Sequence, residues 1–407
     1  IMALDLDFVR ARFPALHGDW VFMDNAGGSQ TLQGVVDKIG EYLLTSDVQT
    51  GASYAVSQLA GSRVWQAREV QQRLIDAERP EEIVMGPNAS TLFRFLSLAM
   101  AEQFQAGDEI IVTNVDHEVN ISPWLDLAAA RDLNIKWWRF RPETLELELD
   151  DLADLLSERT RLVCVTQTSN VLGTINPVAK IARLVHDAGA LVCVDSVAYA
   201  PHRALEVRDW DVDFLIWSAY KVYGPHHAFL YGKHAELQKL GNLYHHFIGD
   251  KLPNKLEPGN PNYELAYGCI AIGDYLETLA DLCGAAGFRR PVDSAFGAIA
   301  EHEEALSARL LDYLRGKNNV RIIGRDSPDR AGRVPTLSFV VDGKDSESIV
   351  RQVDKHHIGI RFGDFYACRL IQDLGLSEQK GVVRASLVHY NTLEEVDRLI
   401  RALDEAI

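Results

Sequence analysis

From about residue 80 to residue 232 short apolar runs recur along the chain: EEIVMG, DEIIVTN, IKWWRF, TRLVCVTQ, ALVCVDS, VDFLIWSA and AFLYG. The runs are continuously apolar rather than alternating, and amphipathic stretches of helical length separate most of them. Strands buried on both faces read this way, so the pattern predicts an α/β domain with a mostly parallel seven-stranded sheet covered by helices. Ligands of such sheets bind beyond the carboxyl ends of the strands, which makes the residues closing each run the first functional candidates. Those residues are Gly86, Asn114 to His117, Gln167 to Asn170, Asp195, and Ser218 to Lys221.

A long helical stretch from about 262 to 316 follows, and then the pattern changes to VRIIG, TLSFVV, IGIRFGD and VVRASLV. The helix-like segments SESIVRQVDKH and TLEEVDRLIRALDEAI lie between or after them. Fewer strands, polar alternation and a terminal helix predict a smaller α+β domain. The division expected is a large domain over 25–287, a small C-terminal domain over 288–407, and a segment 1–24 packing with the small domain. No fixed-period repeat, low-complexity tract or long linker interrupts this order.

With 407 residues and 47% hydrophobic composition the chain is long enough for two closely packed domains. Its net charge of -17, from 58 acidic against 41 basic residues, repels phosphate backbones and anionic lipid surfaces. Nucleic-acid and membrane partners are therefore not expected. The start, IMALDLDFVRARFPAL, has no charged region leading into a long apolar one, and a cytoplasmic location is the expectation. Five cysteines (Cys164, Cys193, Cys269, Cys283 and Cys368) show no CxxC spacing, which argues against a disulfide framework or a metal site. Cys164 and Cys193 sit in valine-rich runs, as small apolar side chains do, and Cys368 alone lies in a polar segment.

Lys221 stands at the mouth of a strand, in SAYKVYGP, where a buried amine loses its proton readily and can form a Schiff base. Asp195 ends another run, LVCVD. Pyridoxal phosphate (PLP) chemistry needs this pair, a lysine for the aldehyde and a carboxylate for the ring nitrogen. In GPNASTLFRF a turn leads into a helix, and Asn88, Ala89 and Ser90 form its amino end, either a phosphate cradle or an ordinary capped start. His117, in VDHEVNISPW, opens a loop. Asn170, in TSNVLGTINP, offers an amide to a ring hydroxyl, with a plain turn before Gly173 as the alternative. Arg384, in VVRASLV, needs an anion to offset its desolvation; a substrate carboxylate or a structural ion pair would serve.

Taken together, DNAGG, DHEVNISPW, TSNVLGTINP, SAYKVYGP, EPGNPNYE and RASLVHYNT resemble the class V aminotransferase and cysteine desulfurase group of PLP enzymes. The likeness runs nearly end to end and implies the fold-type I architecture. It implies that Lys221 carries the cofactor, Asp195 pairs with its ring nitrogen and His117 stacks on the ring. Asn170 would contact the ring hydroxyl, with Asn88, Ala89, Ser90, Ser218 and Tyr220 around the phosphate. Arg384 would take the carboxylate of a small amino-acid substrate, with Asn25 near it. EPGNPNYE resembles the segment that reaches a neighbouring subunit's phosphate, through Asn260, so a homodimer is implied.

The chain departs from that group at several positions. Ala198 stands where many relatives have glutamine or histidine, Tyr220 where many desulfurases have histidine, and Asn260 where threonine is commoner. In RFGDFYACRL, Tyr366 takes the place of the desulfurase nucleophile and Cys368 lies two residues on. The expected activity is desulfurase-like, cleaving the C–S bond of cysteine or a related amino acid with Cys368 as the thiol. The alternatives are a class V aminotransferase, a lyase without a persulfide step, or an epimerase using His117 or Tyr366 as second acid. A pseudoenzyme is the remaining rival, and a sulfur-acceptor protein would be a further partner only under the desulfurase reading.

Overall fold

The computed structural model describes residues 3–407; residues 1 and 2, which open the expected 1–24 segment, lie outside the described part. All seven apolar runs of the first half form strands of one sheet. In chain order they are β1 (Ile83–Gly86), β2 (Glu109–Thr113), β3 (Asn134–Trp138), β4 (Thr160–Thr166), β5 (Leu191–Asp195), β6 (Phe214–Ser218) and β7 (Ala228–Gly232). Their order across the sheet is β1-β7-β6-β5-β4-β2-β3. Only β7 runs antiparallel to its neighbours β1 and β6. The hairpin-like return from β6 to β7 is short because it need not cross the sheet, whereas each parallel step requires a helical crossover.

Continuous burial explains the continuous apolar runs. Ile110, Ile111 and Val112 are fully buried, as are Val163, Cys164 and Val165 on β4 and Val192, Cys193 and Val194 on β5. Successive side chains point to opposite faces, so one face joins the cluster containing Val163, Val165, Val192 and Val194, and the other joins that of Cys164, Cys193 and Leu162. All five cysteines are free thiols and only Cys368 is partly exposed.

The predicted helical stretch from 262 to 316 is three helices, Tyr263–Gly268, Ile270–Cys283 and Pro291–Arg315. Gly284 ends the second in the left-handed region (φ +82°) and Pro291 begins the third, so the chain breaks where glycine and proline dictate. Pro291–Arg315 packs on Ile270–Cys283 and, through its later turns, on the terminal helix Leu393–Ala406. The small domain carries a four-stranded sheet of β8 (Val320–Ile323), β9 (Thr336–Val341), β10 (Arg361–Gly363) and β11 (Val382–Ser386), in the order β10-β11-β9-β8. Val21–Phe22 pairs in parallel with Ile358–Gly359 of the small domain, while Phe8 stacks on Tyr275 of the large one. Among the described residues no helix is long and apolar enough to cross a membrane.

One buried ion pair ties the helix carrying Arg68 to β1 and to Glu257. Glu257 accepts from both terminal nitrogens of Arg68 (2.8 and 3.1 Å) and from the Met85 N–H of β1 (2.7 Å). Arg68 in turn donates to the Ile83 carbonyl. Substituting Glu257→Ala leaves the buried guanidinium without a counter-charge and a strand N–H without an acceptor, and should lower stability by about 3–5 kcal/mol. Urea unfolding of the single variant, and of Arg68→Met/Glu257→Leu in which most of the loss should be recovered, measures this.

Candidate active site

Beyond the carboxyl ends of β1, β2, β4, β5 and β6 lies a cavity with about 500 Å³ of open space, lined by residues that close those strands. The loop carrying Lys221 is set by contacts at both ends. A 3₁₀ turn over Ala219–Lys221 follows β6, and Gly224 N–H closes it by donating to the Ala219 carbonyl (2.9 Å). The DNAGG run lies across this turn. Ser29 donates its hydroxyl to the Lys221 carbonyl (2.9 Å) and accepts from Tyr223 N–H (3.0 Å). A Cβ on Gly28, whose φ is +151°, would press on the Tyr220 ring at 3.2 Å, so the close crossing favours glycine there.

Lys221 is buried, and that burial, aided by the nearby Arg384 guanidinium, lowers its ammonium to about 8. Asp195 and Asp24 oppose the fall without cancelling it. Asp195 is 4% exposed, and burial lifts its carboxyl to about 6 against one hydrogen bond from Val197 N–H (2.9 Å) and the pull of Lys221. A second carboxylate, Asp116, lies nearby. It accepts from Asn120 Nδ2 (2.7 Å), Thr166 N–H (3.0 Å) and the Thr113 hydroxyl (2.5 Å), yet its burial lifts it to about 7. Desolvation therefore outweighs hydrogen bonding at both acids.

His117 lines the cavity as the first residue of a short turn. Its Nδ1 accepts from Val119 N–H (3.0 Å), so the neutral ring carries its proton on Nε2. Burial, with the Lys221 and Arg384 charges, depresses its imidazolium to about 4. An acid at this position needs the doubly protonated ring, which the site disfavours at neutral pH; what remains is a flat surface and one N–H donor.

The amino end of α1 (Ala89–Met100) opens on the same cavity. Asn88 caps it by accepting from Thr91 N–H (2.8 Å), which leaves the Ala89 and Ser90 N–H groups without partners within the helix. The Ser218 hydroxyl is buried with no partner, as are Asn170 Oδ1 and Thr168 Oγ1. Such orphaned polar atoms require an acceptor or donor from outside the chain. They fit PLP: a helix amino end and Ser218 for the phosphate, Asp195 for the ring nitrogen, Asn170 for the ring oxygen and Lys221 for the aldehyde. Asn170 Nδ2 donates one hydrogen to the Phe365 carbonyl (2.9 Å) and keeps the second. Ala198 also lines the cavity, adding space rather than a hydrogen bond.

Nine expected cofactor residues thus meet: Asn88, Ala89, Ser90, His117, Asn170, Asp195, Ser218, Tyr220 and Lys221. Tyr220 also stacks on the exposed His226 ring at 5.2 Å. Asn260 lies elsewhere, in a surface cavity beside Trp65 and Glu257, and touches no part of this one. Asn25 differs from expectation as well. Its amide donates to the Phe22 and Ser386 carbonyls (3.0 and 2.9 Å) and to Asn391 (3.2 Å), and its oxygen accepts from the Tyr390 hydroxyl. It is an internal tie between the segment before the large domain and the small domain, and both its N–H donors are engaged there.

Arg384 is 1% exposed and pairs with Asp24 (2.8 Å) and the Asn170 carbonyl (3.1 Å), with its guanidinium 3.7 Å above the Phe365 ring. The structural ion pair is thus present, and only Nε lacks a partner. Asp116 falls among the strand-closing candidates Asn114 to His117, whereas the sequence reading gives Asp24 and Glu118 no role of their own. Asp24 stands in the DNAGG run, but nothing in that run indicates a partner 360 residues away.

Tyr366 and Cys368 lie outside the cavity lining. The Tyr366 ring leans on His117 at 5.2 Å, while Cys368 opens the short helix α2 (Cys368–Asp373) and turns its thiol to Glu118 (3.6 Å). Burial and then the Glu118 charge push the Cys368 thiol up.

The chain belongs to the aminotransferase class-V family, whose sequence profile matches residues 21–399. It is 45% identical to an aminotransferase-like protein of Gibberella zeae over 99% of this chain and 98% of that one. It is 33% identical to a cysteine desulfurase-like protein of Aspergillus flavus, over 99% of this chain and 91% of that one. Among solved structures, a cysteine desulfurase of Thermococcus onnurineus superposes with a TM-score of 0.88 at 26% identity, over 100% of this chain and 98% of that one. The fold is that of the fold-type I enzymes, and the chain belongs to a family of PLP-dependent enzymes.

Below about pH 8 Lys221 is an ammonium, and only its neutral amine attacks an aldehyde, so cofactor capture should accelerate as pH rises through that value. Mixing cofactor-free protein with PLP and following the visible absorbance band over pH 6 to 10, a range chosen to bracket about two units on each side of that midpoint, measures it. Lys221→Ala should give no stable band at any pH.

Proposed function

We propose that this chain is a PLP-dependent enzyme acting on the side chain of a small α-amino acid, in the manner of the desulfurase-like branch but without a protein-bound persulfide. PLP, when bound, supplies an electron sink that labilises the bonds of the substrate's α-carbon. The protein's part follows from the residues around it. Lys221, with its ammonium lowered to about 8, is able to exchange between amine and ammonium near neutral pH and is placed to move the α-proton. Asp195 would offer its carboxylate to the ring nitrogen, and His117 would offer a flat face and the Nε2 hydrogen to the bound ring.

The observation that carries the absence of a persulfide is the direction of the Cys368 thiol. A nucleophilic thiol needs a lowered pKa and an open path. Cys368 has neither: its Sγ points to the Glu118 carboxylate, its pKa is raised, and it does not line the cavity. Elimination of a β-substituent requires no such thiol. Transamination requires none either, and the name of the Gibberella zeae relative favours it as the second reading. A homodimer and a cytoplasmic setting complete the proposal, the first supported by the position of Asn260 away from this chain's own cavity.

Incubation of the loaded enzyme with L-cysteine and a panel of small amino acids, with and without a keto-acid acceptor, tests this. The expected result is a keto acid with released β-substituent, no persulfide on the protein, and turnover in Cys368→Ser within about twofold of the parent, the range of a surface substitution. A persulfide lost in Cys368→Ser would restore the desulfurase step. Transfer of the amino group only when acceptor is present would make the enzyme an aminotransferase.

A further inference from the structure

Two consecutive residues of the loop after β10, Phe365 and Tyr366, are in the left-handed region, with φ of +53° and +61°. For residues with a Cβ this conformation costs about 1–2 kcal/mol each, so something must hold it. The Phe365 carbonyl accepts from Asn170 Nδ2 (2.9 Å) and the Tyr366 carbonyl from Glu118 N–H (2.7 Å). Both donors belong to strand-closing loops of the large domain. Glu118 adds a second grip, because its carboxylate takes both Nε and Nη2 of Arg369 (3.1 and 2.9 Å) and the Ser122 hydroxyl (2.8 Å). Burial pushes the Glu118 carboxyl up, but the hydrogen bonds from Arg369 and Ser122 outweigh it and hold it low, so the pair stays ionised. The Arg369 guanidinium lies 4.9 Å from the Trp137 ring centre.

The strained pair thus delivers one side chain to the mouth of the cavity. The Tyr366 ring rests against His117, inclined by 31°, and is 69% exposed, a large aromatic surface with no other packing role. We propose that Tyr366 selects the substrate's side chain by volume, admitting short unbranched groups and excluding aromatic or branched ones, and that Glu118 is the positioning residue that holds it there. The inference rests on the reading that the cavity takes PLP and an α-amino acid. The cavity is walled on one side by the buried strand ends, and the Tyr366 ring against His117 stands on the open side, where a bound amino acid's side chain would meet it.

Binding rather than turnover tests this without reference to which reaction follows. α-Methyl amino acids lack the α-proton and stop after binding, and their Kd is read from the shift of the cofactor absorbance band of the holoenzyme. The wild type should bind α-methylserine more tightly than α-methylphenylalanine. Tyr366→Ala should narrow that ratio about tenfold or more, the value of one or two methylene-sized contacts in a pocket. Tyr366→Phe should keep the parental ratio, since volume and not the hydroxyl sets it. Glu118→Gln should move the ratio in the same direction as Tyr366→Ala, a change that loss of stability alone would not produce. If Tyr366→Ala fails to retain PLP, Tyr366→Leu takes its place. An unchanged ratio in the shortened variant, or a ratio lost in Tyr366→Phe, overturns the assignment. A wild-type band that no analogue shifts would instead remove the amino-acid reading on which it rests.

Discussion

Desolvation of Lys221 at the carboxyl edge of a buried sheet is the constraint from which the rest of the site follows. Two carboxylates, Asp195 and Asp24, favour the ammonium, and it still falls from 10.5 to about 8. At about 1.4 kcal/mol per pH unit this is about 3 kcal/mol against the charged form. Burial of the strand end, with the Arg384 charge beside it, outweighs the two carboxylates. Asp195 meets the same condition with the opposite sign: its carboxyl rises although Lys221 pulls it down. Two groups that would be fully charged in water are brought close to neutral pH by one cause.

Holding such groups in place requires that other polar atoms be satisfied. The Lys221 turn is tied by Ser29, the His117 turn by Val119 N–H and by Asp116 with Asn120, and the Asn170 side chain by the Phe365 carbonyl. Three buried polar atoms that line the cavity, on Thr168, Asn170 and Ser218, have no partner within the chain. The buried polar network rigidifies the walls, and its few open valences define what the cavity must receive.

The sheet and the residues that end its strands were legible in the sequence because full burial writes an uninterrupted apolar run and the chain's exit from it is marked by a polar residue. Lys221, Asp195 and Asn170 were found in this way. Other roles depend on partners far along the chain, and no local pattern encodes them. Asn25, within DNAGG, is expected near a substrate by resemblance, whereas its amide is tied to Ser386, Asn391 and Tyr390. Glu118 reads as one acidic residue among 58, and only the fold sets Arg369 opposite it. The helical stretch over 262–316 was read as continuous because its apolar periodicity survives the break at Gly284.

Arg384 shows how the two halves of the site divide the work. Its guanidinium is placed by β11, but Asp24 and the Asn170 carbonyl already occupy its terminal nitrogens, leaving Nε. Asp24 is itself 3.8 Å from the exposed Arg361. Asp24 thus lies between a buried and an exposed cation, and the Arg384 charge is already paired within the chain. The strand ends of the large domain line the cavity, while β10 and the segment after it bring Arg361 to Asp24 (3.8 Å) and the Tyr366 ring to His117 (5.2 Å).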